Sequence, residues 1–256
     1  MVRMNRGRGE SGEWEKPFWQ QRGWVLSAGF LLSLAALGGV AALAGGGEDG
    51  SRGTEAAPAG TPSAPPTAGG GSDGRPEGCG TDDSDQDTPT EPPKDLKWKS
   101  VGSSRVPTSA SVGPTSFEGR VWSCYARTPM GAVMAVHGIS SQMSYPGWRD
   151  VVEKQFVPGN GTDAFVEKRS KLKDTPLTEG PDKGNYVGFS VLSYSENQAA
   201  VMMLMEIDGD HLSTSLSVKW EAGDWKLLPQ SNGSITSAFS RASGTNGFVL
   251  WETPDE

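Results

Sequence analysis

The sequence predicts an α+β domain that follows an N-terminal transmembrane helix, and three features of the 256-residue chain support this prediction. An uncharged run covers residues 23–47. Helix signals occur between residues 128 and 172, and alternating strand patterns occupy residues 186–228. Helices followed by a series of strands are typical of a layered α+β arrangement. We therefore expect a roll, with three helices packed on one curved, antiparallel, four-stranded sheet.

The transmembrane helix is predicted over residues 23–45. At 1.5 Å per residue, the 22 residues from Trp24 to Gly45 span about 33 Å, which exceeds the roughly 30 Å of a typical hydrocarbon core. Basic residues precede this run and an acidic segment follows it, so the positive-inside rule places the N-terminus in the cytoplasm. The alternative is a signal peptide cleaved near Ala44, which would release a secreted protein. Apolar residues along the predicted span include Trp24, Leu32, Leu37 and Leu43.

Composition divides the chain into four parts. We expect a cytoplasmic tail over residues 1–22, the span over 23–45, a disordered linker over 46–94 and an extracytoplasmic domain over 95–256. The linker is rich in Gly, Pro, Ser and Thr, and it contains three basic and ten acidic residues. Such a segment has too few apolar side chains to bury a core. Because the domain has no basic surplus, nucleic acid is not an expected partner.

The chain contains two cysteines, Cys79 and Cys124. Outside the cytoplasm an even cysteine count favours a disulfide, and this one would stabilise the fold by up to about 4 kcal/mol. It would also attach the end of the linker to the domain, so that the folded unit begins near Cys79 instead of Asp95. The alternative is two unpaired thiols.

Capping and turn residues set the boundaries of the predicted helices and strands. Thr128 is the expected N-cap of a first helix with Pro129 at its first position, and Thr162 is the expected cap of the third. The second helix begins at Trp148. Asp208-Gly209 is a hairpin signal between two strands. The predicted strands cover residues 97–101, 118–126, 186–194, 199–207, 212–220 and 225–228.

Three segments carry resemblances to known families. The hairpin WEAGDWKLL, residues 220–228, resembles the cystatin-like or nuclear-transport-factor-2-like cone fold. The block CYARTPMGAVMA, residues 124–135, and the ending GFVLW, residues 247–251, resemble a family of uncharacterised actinomycete membrane-anchored or secreted proteins. The predicted tail, span and outer cone-fold domain together resemble the inner-membrane scaffold subunits of type IV secretion systems. These resemblances imply a role in conjugation or secretion.

Candidate residues for a pocket wall or an interface are mainly large aromatics. Core packing is the competing interpretation for each, because large aromatic side chains dominate burial. His211 follows Asp208-Gly209-Asp210, a pattern more typical of a turn than of a metal site. No catalytic, cofactor or metal site is predicted. The candidates are Trp122, Tyr125, His137, Trp220, Trp225 and Trp251.

Three functions are compatible with these features. The favoured one is a non-enzymatic, membrane-anchored interaction or scaffold module at the cell envelope, with other envelope proteins as partners and homo-oligomerisation left open. The second is a small-molecule-binding or sensing domain that uses the pocket of the cone. The third is a cone-fold enzyme, which requires His137 or a carboxylate such as Glu206 to face the interior.

Overall fold

The computed structural model describes residues 74–75, 78–177 and 185–251. Within these ranges no helix is long and apolar enough to cross a membrane. The predicted cytoplasmic tail, the predicted span with Trp24, Leu32, Leu37 and Leu43, and most of the predicted linker lie outside the described residues. Their assignments stay predictions.

Two short antiparallel hairpins begin the fold. β1 (Lys97–Val101) pairs with β2 (Ser104–Thr108), and β3 (Ser116–Glu118) pairs with β4 (Val121–Ser123). Gly119 lies between β3 and β4 with a φ of 60°, a left-handed conformation that glycine adopts without a steric cost. The single strand predicted over residues 118–126 is therefore a tight turn with a short strand on each side.

Three helices follow: α1 (Pro129–Ser141), α2 (Trp148–Gln155) and α3 (Asn160–Arg169). The capping prediction for α1 is confirmed, since the Thr128 hydroxyl accepts a hydrogen bond from the Gly131 N–H at 3.0 Å. The prediction for α3 is wrong. Thr162 lies inside this helix, and its hydroxyl donates to the Val157 carbonyl at 2.6 Å instead of capping.

The largest sheet is antiparallel and contains six strands. Its strand order is β10-β5-β6-β7-β8, and β9 also pairs with β7. The Asp208-Gly209 turn connects β6 to β7, as predicted, and both residues have positive φ. The strands are β5 (Asn185–Ser195), β6 (Gln198–Ile207), β7 (Asp210–Glu221), β8 (Asp224–Leu227), β9 (Ser240–Arg241) and β10 (Val249–Leu250).

The predicted fold class, helices packed on a four-stranded cystatin-like or nuclear-transport-factor-2-like roll, is wrong. The described part of the chain is mostly β structure, with a six-stranded sheet, two separate two-stranded sheets and three short helices. Sequence periodicity missed β9 and β10 because two residues are too few to show alternation. It also missed β2, which contains Pro107, a residue that argues against a strand.

Helix α1 lies in the centre of the molecule. It contacts β2 and β4 on one side and strands β5 to β8 of the large sheet on the other. Every residue of α1 except Met130 is buried, whereas the sequence predicted a single apolar face. Side chains from the helices and the sheet fill the space between them. Among the described residues, side chains therefore fill the space in which the small-molecule hypothesis expected the pocket of the cone.

Candidate functional site

A groove of about 600 Å³ lies between the β3–β4 hairpin, the C-terminal end of α2 and the turn from β7 to β8. We call it the disulfide groove because Cys124 forms part of its wall. β8 borders it as the last strand on one side of the large sheet. Its lining residues are Gly78, Thr115, Ser116, Phe117, Glu118, Val121, Ser123, Cys124, Lys154, Gln155, Ala222, Asp224, Trp225 and Lys226.

The predicted disulfide between Cys79 and Cys124 is confirmed. It joins residues 45 apart in sequence and connects the segment that enters the domain to the wall of the disulfide groove. Cys124 has a φ of 66°. This left-handed conformation is uncommon for a residue with a side chain, so other contacts must hold it in place.

Asp224 supplies those contacts from the first position of β8. Its carboxylate accepts hydrogen bonds from the backbone N–H groups of Cys124 at 2.8 Å, Tyr125 at 3.0 Å and Trp225 at 2.9 Å. Burial raises the pKa of Asp224 to about 6, although the three N–H donors oppose this rise. The carboxylate thus connects the disulfide segment to the sheet at the floor of the groove.

Gln155, the last residue of α2, also lines the disulfide groove and is 3% exposed. Its Nε2 donates a hydrogen bond to the Trp122 carbonyl at 2.6 Å, which fixes the orientation of the amide. The amide oxygen Oε1 has no hydrogen-bond partner among the described residues. Other buried polar atoms, such as His137 Nδ1 and Trp251 Nε1, share this property, but Gln155 also lines the disulfide groove.

The rim of the groove combines an exposed ring with charged side chains. Phe117 on β3 is 42% exposed, and the Nζ atom of Lys99 lies 4.5 Å from its ring centroid. Lys154, Lys226 and Glu118 also border the groove. The arrangement has features of a recognition surface, with an apolar ring, exposed charges and buried hydrogen-bonding groups at the floor.

Two of the six candidate residues lie side by side near this groove. Trp225 lines it, and its indole Nε1 donates to the Ala126 carbonyl at 2.8 Å. The ring of Trp220 packs edge-on against Trp225 with centroids 5.4 Å apart. The guanidinium groups of Arg75 and Arg127 lie 5.0 and 5.3 Å from the Trp220 ring. These contacts give Trp220 a packing role beside the segment that enters the domain.

His137 and Trp251 lie apart from the groove in an aromatic cluster that also contains Trp98 and Tyr186. The His137 ring is 1% exposed, and its Nε2 is 3.2 Å from the Arg105 carbonyl oxygen. Burial lowers the pKa of His137 to about 3, so its ring is neutral at ordinary pH. His137 does face the interior, but its surroundings are those of a core residue.

The remaining two candidates are buried at separate positions. Trp122 packs in a small cluster with Val101, Val106 and Tyr145, although its carbonyl reaches Gln155 in the groove. Tyr125 is 1% exposed, and burial raises the pKa of its hydroxyl well above the usual value. Neither ring lines the groove.

No sequence motif indicates the polar residues that form the groove. Asp224 lies between the predicted strands at 212–220 and 225–228, and Gln155 and Lys154 lie in a helix whose polar face has no motif. One signal was available: Asp224 is an acidic residue at the start of a strand whose other side chains alternate toward the core. Its three N–H partners are up to 100 positions away in sequence, so their approach could not be predicted.

Two other features of the structure, a surface Glu206–His211 pair and a second groove, do not combine buried polar groups with an exposed ring in the way that the disulfide groove does. Glu206 is 51% exposed in its side chain and lies 3.6 Å from the Nε2 of His211 on the surface of the large sheet. Over residues 82–95 the chain borders a second groove of about 590 Å³ with five acidic residues. No group of three or more His, Cys, Asp or Glu residues in the described ranges is arranged to hold a metal ion.

Comparison with known proteins places the chain in a family. No curated protein and no solved structure matches it. A family model described as "Domain of unknown function (DUF8175)" matches residues 55–250, which is more than half of the chain. The matched segment contains both cysteines and the three helices and ten strands of the described residues. The chain therefore belongs to the DUF8175 family.

Proposed function

We propose that this chain is a membrane-anchored, extracytoplasmic interaction module of the cell envelope and that it acts without catalysis. The observation that carries the proposal is the Cys79–Cys124 disulfide. Disulfides persist in oxidising compartments and are rare where the cytosol keeps thiols reduced. Together with the uncharged run over residues 23–47, the disulfide favours a domain that is tethered to a membrane and folds outside the cytosol.

The segment that leads into the domain supports this proposal because its contacts with the domain define the point at which the predicted linker would attach. Asp83 forms an ion pair with Arg75 at 2.6 Å and accepts the Arg127 N–H at 2.7 Å. Gln86 donates to the Arg127 carbonyl and accepts from the Tyr194 hydroxyl, both at 2.9 Å. The folded unit thus includes residues upstream of Asp95, and a linker that ends here leaves the disulfide groove beside the point of attachment.

The chemistry of His137 and Asp224 favours recognition over catalysis. A general base must reach its substrate and exchange protons near the working pH. His137 is enclosed by aromatic rings, and its pKa of about 3 makes it a weak base. The Asp224 carboxylate is committed to three backbone N–H groups that position Cys124.

A topology experiment tests the membrane part of the proposal. Full-length chain is expressed with one epitope tag at each end, and intact cells are treated with an external protease. We expect loss of the C-terminal tag and protection of the N-terminal tag, with both tags lost after lysis. Protection of both tags in intact cells contradicts the proposal.

A pull-down tests the interaction part. Tagged chain solubilised from membranes in mild detergent should recover other envelope proteins that a tagged unrelated single-span protein does not recover. Recovery of none, with a monomeric chain, contradicts an interaction role. Neighbouring genes for conjugation or secretion would extend the proposal to those processes.

A second candidate function is small-molecule binding at the disulfide groove. Its volume of about 600 Å³ lies within the usual range for ligand sites, and it is lined by Gln155, whose buried Oε1 has no hydrogen-bond partner among the described residues. The core between the helices and the sheet is filled by side chains, so it offers this function no pocket. A ligand that raises the unfolding temperature of wild type but not of Gln155→Leu would favour this function.

A further inference from the structure

The disulfide groove lies beside an incompletely paired strand, β8. β8 has β7 as its only strand neighbour in the large sheet, and on its other side the Val157 N–H donates to the Leu227 carbonyl at 2.9 Å. The wall opposite β8 is formed by β3, which pairs only with β4. Extended peptides commonly bind beside strand edges, where backbone groups and alternate side chains can be recognised.

Two groups of the groove, the buried amide of Gln155 and the exposed ring of Phe117, would contact different parts of a bound ligand. Gln155 is 3% exposed, and its Oε1 lacks a hydrogen-bond donor among the described residues. A peptide backbone brings N–H donors of the required kind. Phe117 presents a ring that is 42% exposed, and an apolar side chain would cover it. The two groups therefore favour a ligand with alternating polar and apolar parts.

Free positive charge predominates at this site. Neither Lys154 nor Lys226 forms an ion pair with a carboxylate in the described part of the chain. Lys99 adds a third ammonium group above the Phe117 ring. The two acidic lining residues are Glu118 and Asp224, and three backbone N–H groups that donate to the Asp224 carboxylate offset part of its charge, so the three ammonium groups outweigh the two carboxylates. Charge complementarity therefore favours an acidic occupant.

We infer that the disulfide groove binds an extended, acidic peptide segment of a partner protein. Backbone N–H groups of that segment face Gln155, its carboxylates approach Lys154 and Lys226, and one apolar side chain covers Phe117. The inference rests on the proposed interaction function and names the chemistry of the partner.

The chain's own linker is a less suitable occupant. Residues 46–73 are acidic, with four acidic residues and one arginine, but their largest apolar side chains are those of alanine and proline. They include no aromatic residue and no leucine, isoleucine, valine or methionine to cover Phe117. A partner segment that alternates acidic and branched apolar residues meets both requirements of the groove.

The test uses full-length chain in detergent micelles and a fluorescein-labelled octapeptide of four Glu-Val repeats, followed by fluorescence anisotropy. We expect saturable binding that weakens as salt is added, because rim charges are screened. A Gln-Val octapeptide should bind at least tenfold more weakly. An unlabelled peptide of residues 46–73 serves as competitor and should displace the probe at least tenfold less well than unlabelled Glu-Val octapeptide.

Variants locate the binding to the groove. Lys154→Glu with Lys226→Glu should weaken binding at least tenfold, and Phe117→Ser should weaken it several-fold. The matched control, Lys171→Glu with Lys173→Glu, changes the same charge on a surface outside the groove and should leave affinity within twofold. Circular dichroism and the unfolding midpoint check each fold, and Lys154→Gln with Lys226→Gln replaces the double reversal if it does not fold.

Three results overturn the inference: no saturable binding of the acidic octapeptide, equal affinity for the neutral octapeptide, or equal loss of affinity in the control variant. Displacement by residues 46–73 as strong as that by the acidic octapeptide also overturns it, because the linker is then the occupant. These failures leave the topology experiment unaffected, so they are distinguishable from failure of the proposed function.

Discussion

His137 is buried and enclosed by aromatic rings, whereas Asp224 is half-buried and lies at the floor of an open groove. Burial lowers the pKa of His137 to about 3 and raises that of Asp224 to about 6, so each shift favours the neutral form. The comparison shows that burial alone does not identify a functional group. The aromatic cluster stabilises the core, and the groove combines buried polar groups with solvent access.

The largest expected effect concerns His137. In the unfolded chain the pKa of His137 is about 6.5, whereas folding lowers it to about 3. The neutral ring therefore contributes fully to the free energy of unfolding above pH 6.5, and this contribution is lost as pH falls toward 3. This loss should be on the order of 4 kcal/mol. His137→Phe should remove that part of the pH dependence in urea unfolding followed from pH 3 to 7. His211→Gln is the matched control, and parallel curves for wild type and His137→Phe would refute the prediction.

Removal of the disulfide should have the next largest effect. Cys79→Ser with Cys124→Ser should lower the free energy of unfolding by about 2–4 kcal/mol, because the unfolded chain gains the freedom of a long open loop. Urea unfolding measures the loss. Reductant should destabilise wild type by a similar amount and leave the double variant unchanged; a double variant as stable as the oxidised wild type contradicts the prediction.

Asp224 should show the opposite dependence on pH. Its folded pKa of about 6 lies above the unfolded value of 3.8, so its protonated form stabilises the fold below 3.8, and this contribution is lost as pH rises through 6. We expect the free energy of unfolding of wild type to decline by on the order of 2 kcal/mol as pH rises through this range, and we expect no such decline in Asp224→Asn. Asp150→Asn, an exposed aspartate on α2, is the control. The idea fails if the stability difference between wild type and Asp224→Asn is constant across this range.

The smallest effect is expected for Thr128, which caps α1, the helix that contains His137. Thr128→Ala should cost about 1 kcal/mol because the Gly131 N–H loses its acceptor. The loss should be the same at every pH, since no titratable group changes. Thr128→Ser should retain most of the stability, and a serine variant as unstable as the alanine variant would show that the lost hydroxyl is not the cause.

Local signals in the sequence predicted more of the secondary structure than of the groove. Capping at Thr128 and the turn at Asp208-Gly209 depend on neighbouring residues, and both were predicted correctly. The disulfide was predicted from cysteine count and compartment. The groove depends on contacts between distant segments, such as Asp224 with Cys124 and Gln155 with Trp122, and no local pattern indicates them. The six-stranded sheet was missed for a similar reason, since its two shortest strands exist only through their pairing partners.

The redox state of the two cysteines in intact cells tests the central claim most directly. Full-length chain is exposed to a membrane-impermeant maleimide before and after a membrane-impermeant reductant, and the uptake at Cys79 and Cys124 is read by mass spectrometry. The extracytoplasmic account predicts no uptake before reduction and uptake at both cysteines after it. Two thiols that react only after lysis, without reductant, would contradict it.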